Sequence, residues 1–248
     1  MTVRPRRRAG RQLDAAARRR AAEKRRKINP MRGWFRATSR EGLTPVPLSI
    51  RDQFEGQVAI VMGTGPSLDD YDLTDPFFTE NITIGGNNIG ALFQPTYYCM
   101  TDPSACRKYS SSIMRCPGSK FLVGELAAPV WYRMPNFRKP FGVLQYDRAD
   151  RVGKPGTRIY HGSTIGCVML HVAWLMGFRY IFLIGLDGYG VKGTKHATGN
   201  QPVGPVSHDR TVETNLNLAH GEAIRRGRFI FNLSHRSVYT SIPHYHSS

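Results

Sequence analysis

Residues 57–68 read Gln57-Val58-Ala59-Ile60-Val61-Met62-Gly63-Thr64-Gly65-Pro66-Ser67-Leu68. The apolar run before Gly63 is typical of a buried strand, and Pro-Ser is typical of the first positions of a helix. Glycine lets a backbone approach a phosphate closely, and the first N–H groups of a helix can bind it. The turn formed by residues 63–67 is therefore a candidate anion site, in which Ser67 either caps the helix or binds a phosphate oxygen.

The spacing of this turn limits what it can bind. It is neither Gly-x-Gly-x-x-Gly nor Gly-x4-Gly-Lys-Ser/Thr, so the sequence supports neither a dinucleotide fingerprint nor a P-loop. An ordinary turn between a strand and a helix, with no ligand, explains the same residues. Spacing alone leaves both interpretations open.

Strand and helix patterns alternate from about Leu48 onward. This alternation predicts an α/β fold, a doubly wound and mainly parallel sheet of the Rossmann-like type with helices on both faces. We predict strands over residues 58–62, 82–85, 97–100, 120–123, 180–185 and 228–232, and helical segments over 67–71, 103–115, 164–176 and 209–226. Ligands bind at the carboxyl ends of such strands. We expect one cleft there, lined by Gly63, Thr64, Gly65, Asn87, Asn88, Asp102 and Asp187.

The charge of the chain is concentrated at one end. The formal net charge is +17 over 248 residues, and residues 1–40 hold 15 of the 35 Lys and Arg with only two acids, a net charge of +13. We predict a basic tail over residues 1–45, helical or disordered, and a folded domain over 46–248. The tail favours a polyanion partner, which is a nucleic acid, an anionic membrane surface or an acidic protein. A solvated arm without a partner explains the same composition.

Cysteine spacing and hydropathy bear on whether the protein is cytoplasmic and whether it spans a membrane. The four cysteines form no Cys-x-x-Cys pair, which fits reduced thiols in a cytoplasmic protein. The apolar run 167–186 is long enough to suggest a membrane span. Gly177 divides it into a buried helix and a buried strand, so we expect no membrane span. No grouping of His, Asp and Glu has convincing metal spacing.

Several segments, taken in order, resemble one protein superfamily. They are residues 63–68, Ile84-Gly85-Gly86-Asn87-Asn88, residues 95–103, Ser163-Thr164, residues 175–187, and residues 231–234 with Ser237 and Ile242-Pro243. This set resembles the superfamily of CMP-sialic-acid-dependent bacterial sialyltransferases, the related 6-hydroxymethylpterin pyrophosphokinases and the flagellin-glycosylation proteins. The resemblance covers roughly residues 55–245, with the loop 187–208 poorly matched. It is weak for the reaction, because members transfer either a glycosyl or a diphosphate group.

The resemblance implies roles for particular residues. It places Gly63, Thr64, Gly65, Pro66 and Ser67 on a nucleotide donor, and it adds Asn87, Asn88, Asp102, Ser163, Thr164 and Asp187 to the same site. Tyr189 stands where the sialyltransferases place a tyrosine on the donor phosphate. His208 stands where they carry their general base, and His196 competes for that role. His161 precedes Ser163 and Thr164 and is a further candidate near the donor.

Structural roles remain open for several of these residues. Asn87 and Asn88 suit an ordinary turn, Asp102 suits a cap of the helix after Pro103, and Asp187 suits a support for the glycine loop.

The resemblance implies a nucleotide-sugar-dependent glycosyltransferase that is similar to the sialyltransferases. It would use a CMP-linked donor and a glycan or other hydroxyl acceptor, without a required metal. The alternative enzyme is an ATP-dependent pyrophosphokinase, in which Asp102 and Asp187 hold Mg²⁺. A third interpretation is a non-catalytic nucleic-acid-binding or virion-associated protein. A transferase acting on DNA would unite the tail with the fold.

Overall fold

The computed structural model of the chain describes residues 46, 48–134, 139–147, 152–156, 158–188 and 207–245. The side chains of Leu48, Ser207 and His208 are not described. The predicted tail over residues 1–45 and the candidates Tyr189 and His196 therefore lie outside the described residues, as does the side chain of His208.

Seven parallel strands form one sheet in the order β5-β4-β3-β2-β1-β6-β7. Their bounds are β1 Val58–Met62, β2 Ile82–Gly86, β3 Tyr97–Met100, β4 Lys120–Gly124, β5 Gly142–Leu144, β6 Tyr180–Ile184 and β7 Phe229–Asn232. The predicted α/β fold with a doubly wound parallel sheet is confirmed. The order reverses between β1 and β6, and such a reversal opens a crevice at the carboxyl ends of the two strands.

Six α-helices and three short 3₁₀ turns are found among the described residues. The helices are α1 Pro76–Thr79, α2 Pro103–Lys108, α3 Ser110–Met114, α4 Ala128–Trp131, α5 Ile165–Leu175 and α6 Ser207–Arg225, and the 3₁₀ turns are Leu48–Ile50, Pro66–Asp70 and Ile89–Ala91. Helix α5 is buried along almost its whole length against the central strands, and α6 packs beside it and on β7.

Three local differences from the predicted elements have physical causes. The predicted helix 103–115 is two helices, because Tyr109 departs from helical geometry with ψ at 19° and the serine run that follows it is a weak helix former. Strand β5 was not predicted, since its three residues carry no recognisable apolar pattern. Strand β6 ends one residue earlier than predicted because Gly185 adopts a φ of 68°.

The apolar run 167–186 divides as predicted into a helix and a strand. Gly177, with a φ of 96°, turns the chain between α5 and β6. A side chain there would come within 2.9 Å of the Asp52 backbone, so the position requires glycine. In the part of the chain that the structure describes, no helix has both the length and the apolar character needed to cross a membrane. All four cysteines are buried and unbridged.

Candidate functional site

A cavity of about 340 Å³ lies at the carboxyl ends of β1, β2, β3 and β6. The starts of α2 and α5 and one face of α6 complete its wall. Most of the residues expected to converge do so, and the lining includes Gly63, Thr64, Gly65, Pro66, Asn87, Asp102, Ser163, Thr164 and Asp187. Ser67 and Asn88 are buried and do not line the cavity. The sequence therefore located the cavity correctly, while the ligand-binding role of these residues stays a prediction.

The turn after β1 directs the N–H groups of Gly63 and Gly65 into the protein. Gly63 N–H donates to the Ile184 carbonyl at 2.8 Å, and Gly65 N–H donates to the Gly185 carbonyl at 2.8 Å. The Ser67 hydroxyl accepts a hydrogen bond from Gly185 N–H at 3.2 Å. Thus β1 and β6 are tied together beyond their last paired residues, and these groups are not available to a phosphate.

Asp187 occupies the position where an anion would meet this turn. Its Oδ2 accepts a hydrogen bond from Ser67 N–H at 2.8 Å, across 120 residues of sequence. A carboxylate at the first turn of a helix is favoured by the exposed N–H groups there. The protein thus supplies its own anion to the 63–67 turn.

The second oxygen of Asp187 is the least satisfied group of the site. The residue is 2% exposed, and its Oδ1 is buried without a hydrogen-bond partner among the described residues. Burial raises the pKa of this carboxyl above its ordinary value, although hydrogen bonds from Ser67 and the charges of Arg236 and His235 oppose the shift. Asp187 lines the cavity, so this buried oxygen lies beside it and would gain a partner if a ligand hydroxyl or amino group reached it.

A short segment after β7 holds the Asp187 loop in place. Ser234 Oγ accepts from Leu186 N–H at 3.2 Å, and Ser237 Oγ donates to the Leu186 carbonyl at 2.9 Å. Val238 N–H donates to the Asp187 carbonyl at 2.9 Å. The Ser234 and Ser237 positions in the sequence resemblance therefore support the loop that carries Asp187.

Asn87 and Asn88 have different roles although they are adjacent. Asn87 lines the cavity with a φ of 52°, and its carbonyl accepts from the Tyr98 hydroxyl at 2.5 Å. Asn88 is turned inward, where its Oδ1 accepts from the Ser112 hydroxyl at 2.5 Å. Only Asn87 is placed to meet a ligand.

Asp102 caps α2 at the edge of the cavity. Its carboxylate accepts from Ser104 N–H at 2.7 Å and from the Ser104 hydroxyl at 2.8 Å. The capping role considered for this residue is therefore present, and the side chain is still exposed to solvent.

The start of α5 faces the same cavity. Gly162 and Ser163 take φ values of 55° and 64°, and Thr164 is the N-cap residue. Its Oγ1 accepts from Gly166 N–H at 3.4 Å, which is a long bond. Ser163, Thr164 and Ile165 all line the cavity. An 11-residue helix brings partial positive charge to its first turn, so this start is suited to an anion.

Several lining residues were not predicted. Tyr239 lines the cavity and donates its phenol proton to Asp209 Oδ1 at 2.8 Å. Lys108 supplies a positive charge at the end of α2, and its Nζ lies 5.2 Å from the centre of the Tyr109 ring. Nothing in the local sequence distinguished these side chains from ordinary surface or core residues.

Two further kinds of side chain bear on the site, possible metal ligands and a thiol. Among the described residues, no three His, Cys, Asp or Glu side chains are grouped so that they could hold a metal ion. Cys167 lines the cavity, but burial raises the pKa of its thiol to about 12, so it is protonated at neutral pH.

Comparison with known proteins gave similarities of fold only. No protein-family model matches the chain, and no curated protein is significantly similar to it. One similar solved structure is the MAf glycosyltransferase from Magnetospirillum magneticum AMB-1, with 15% identity over 79% of this chain and a TM-score of 0.49. This chain spans 34% of the length of that protein.

Another similar structure is the sialyltransferase CstII from Campylobacter jejuni, solved in complex with a substrate analogue, cytidine-5'-monophosphate. It has 13% identity, covers 77% of this chain and 85% of its own, and has a TM-score of 0.48.

Proposed function

We propose that this protein is a nucleotide-sugar-dependent glycosyltransferase that transfers a glycosyl group from a CMP-linked donor to an acceptor hydroxyl. The observation that carries the proposal is the pairing of two features in one cavity. One is the start of α5, with Ser163 and Thr164, and the other is the unpartnered Oδ1 of Asp187. A nucleotide carries both an anion and several hydroxyl groups, so it satisfies both features. The ordered sequence segments favour the same class of enzyme.

The donor phosphate is assigned to the start of α5. The first N–H groups of an α-helix have no partner within the helix, and that of Gly166 meets the Thr164 side chain at the long distance of 3.4 Å. The hydroxyls of Ser163 and Thr164 add donors to the phosphate oxygens. Asp187 Oδ1 accepts a hydrogen bond from a ribose hydroxyl or a base amino group. Gly63, Thr64, Gly65, Pro66 and Asn87 then form the wall that the nucleoside contacts.

The transfer step requires a base and a stabilised leaving group. The acceptor oxygen attacks the anomeric carbon, its proton passes to His208, and the bond between that carbon and the phosphate oxygen breaks with its electron pair on the nucleotide. Tyr189 and the start of α5 would stabilise the charge on the leaving phosphate. Replacing His208 with Ala should lower kcat by about 10²–10⁴-fold. His196→Ala is the matched control, and loss of turnover there instead would transfer the role to His196.

A thermal-shift panel of CMP, UDP, GDP and ATP, each with and without Mg²⁺, tests the proposal. We expect CMP to raise the melting temperature without Mg²⁺. A response to ATP alone, dependent on Mg²⁺, would replace the glycosyltransferase with the pyrophosphokinase. A chain that responds to no nucleotide, yet binds duplex DNA at low salt through residues 1–40, would be the nucleic-acid-binding protein.

A further inference from the structure

Polar side chains follow three neighbouring strands on the side of the cavity away from β6. Thr101 and Asp102 follow β3, Glu125 follows β4, and Tyr146 lies two residues after β5. Because parallel strands end at one edge of the sheet, these residues extend the site past the donor cavity. Neither Glu125 nor Tyr146 was predicted from the sequence.

The Tyr146 ring lies across the end of β4 and reaches the cavity wall. Its hydroxyl donates to the Thr101 carbonyl at 2.9 Å, and its ring centre lies 5.4 Å from that of His161 at an angle of 38°. A side chain at Gly124 would come within 2.6 Å of Tyr146 Cε1, so glycine is needed for this close approach. Thr101 and His161 both line the cavity, which makes Tyr146 its immediate neighbour.

Glu125 carries a carboxylate that makes no hydrogen bond or ion pair within the described part of the chain. Its backbone N–H donates to the Leu144 carbonyl at 3.0 Å, which fixes the start of the side chain. The carboxylate is partly buried. Burial raises the pKa of this carboxyl. The charges of Glu125 and Asp102 also help to raise the pKa of Tyr146 to about 12, after burial itself.

This chemistry fits a sugar rather than an anion. A carboxylate accepts hydrogen bonds from neighbouring hydroxyl groups, and aromatic rings pack against the apolar face of a sugar ring. Two carboxylates repel a phosphate or a uronate at the same place. The positive charge of Lys108 is at the other end of α2, six residues beyond Asp102, which caps the start of that helix.

We propose that Glu125, Tyr146 and His161 bind the acceptor, and that the acceptor is a neutral carbohydrate. Calling the bound sugar an acceptor rests on the proposed glycosyltransferase function. The inference that these three residues bind a neutral sugar does not depend on that function. The donor nucleotide then lies over β1, β2 and β6, and the acceptor lies over β3 to β5.

The experiment measures sugar binding to the full chain by saturation-transfer NMR titration. The probes are the methyl glycosides of glucose, galactose and mannose and the matching uronic acid glycosides. The variants are Glu125→Gln, which keeps the shape and removes the charge, and Tyr146→Leu, which removes the ring. Glu80→Gln is the control, because Glu80 is exposed and precedes β2, at the amino-terminal ends of the strands and away from the cavity. Thermal unfolding of each variant verifies that it is folded.

We expect at least one neutral glycoside to bind at least about tenfold more tightly than its uronate. Glu125→Gln and Tyr146→Leu should each weaken the neutral glycoside about tenfold or more, and Glu80→Gln should not change it. Three results would overturn the inference. Uronates bind as tightly as the neutral glycosides, or no neutral glycoside binds, or the Glu125→Gln variant binds like the parent. If CMP binds and no glycoside does, only this inference fails. If glycosides bind in the expected way and no nucleotide does, only the proposed function fails.

Discussion

Two helix starts face the same cavity, and they differ in where their anion comes from. The turn of residues 63–67 has the more recognisable sequence, yet its Ser67 N–H is bound by Asp187 and its Ser67 hydroxyl is buried. The start of α5 has a plainer sequence, but Ser163 and Thr164 line the cavity, and the N-cap bond of Thr164 is 3.4 Å long. A strand-turn-helix signal thus predicts a place that suits an anion. It does not predict whether the protein itself already supplies that anion.

The largest expected effect comes from disturbing the turn that is already filled. In Gly65→Val, the new Cβ would collide with Asp187 Oδ2 and lie 2.7 Å from the Gly185 carbonyl oxygen. We expect the free energy of unfolding, measured in urea, to fall by about 3 kcal/mol. Gly156→Val is the matched control, since no atom of the described residues lies within 4 Å of a Cβ there, and it should change stability by less than about 0.5 kcal/mol. Equal losses in the two variants would mean that the turn is not closely packed on Asp187.

The second largest expected effect is a loss of stability at low pH, caused by His171 in α5. Burial lowers the pKa of His171 to about 4 from an ordinary value of 6.5, while its Nδ1 accepts from Tyr160 N–H at 3.2 Å. The unfolded chain therefore takes up a proton that the folded protein does not, and stability is lost as the pH falls from 6.5 towards 4. The loss amounts to about 3 kcal/mol at its limit. Urea denaturation of His171→Gln should show a shallower decline over this range, and an unchanged decline would contradict the role of His171.

Asp187 should show the opposite trend with pH. Burial raises the pKa of the Asp187 carboxyl in the folded protein above its value in the unfolded chain. The folded protein is therefore most stable where Asp187 is protonated, below the unfolded-state pKa, and it loses free energy of unfolding as the pH rises through the folded-state pKa. Asp187→Asn keeps an oxygen for Ser67 N–H and removes the charge, so it should be more stable than the parent at neutral pH, with the gap closing in acid.

Asp72→Asn is the control for this measurement. The hydrogen bonds from Thr74 lower the pKa of Asp72, so removing its charge should not stabilise the protein at neutral pH. Urea unfolding of both variants between pH 4 and 8 makes the comparison. A destabilised Asp187→Asn at neutral pH would show that the carboxylate serves the fold rather than a ligand.

The sequence predicted the fold well and the site in part. Buried parallel strands such as β1 are continuous apolar runs, so their positions can be recognised locally. The cavity followed from the polar residues at the strand ends. The contact between Ser67 and Asp187 joins residues 120 positions apart, and no local pattern encodes it. Tyr146 escaped prediction because β5, which brings it into place, has only three residues. Glu125 follows the predicted strand β4 but belongs to no recognisable motif.

The most direct test of the two helix starts is a calorimetric titration with CMP and with cytidine, whose affinity ratio isolates the phosphate. If the phosphate lies at the start of α5, Thr164→Val should lower that ratio about tenfold, since it removes a hydroxyl and keeps the shape. Asp187→Asn should weaken both ligands without lowering the ratio, because Asp187 meets the nucleoside. The opposite result, a ratio that falls in Asp187→Asn and is unchanged in Thr164→Val, would place the phosphate at the turn of residues 63–67 and contradict the account.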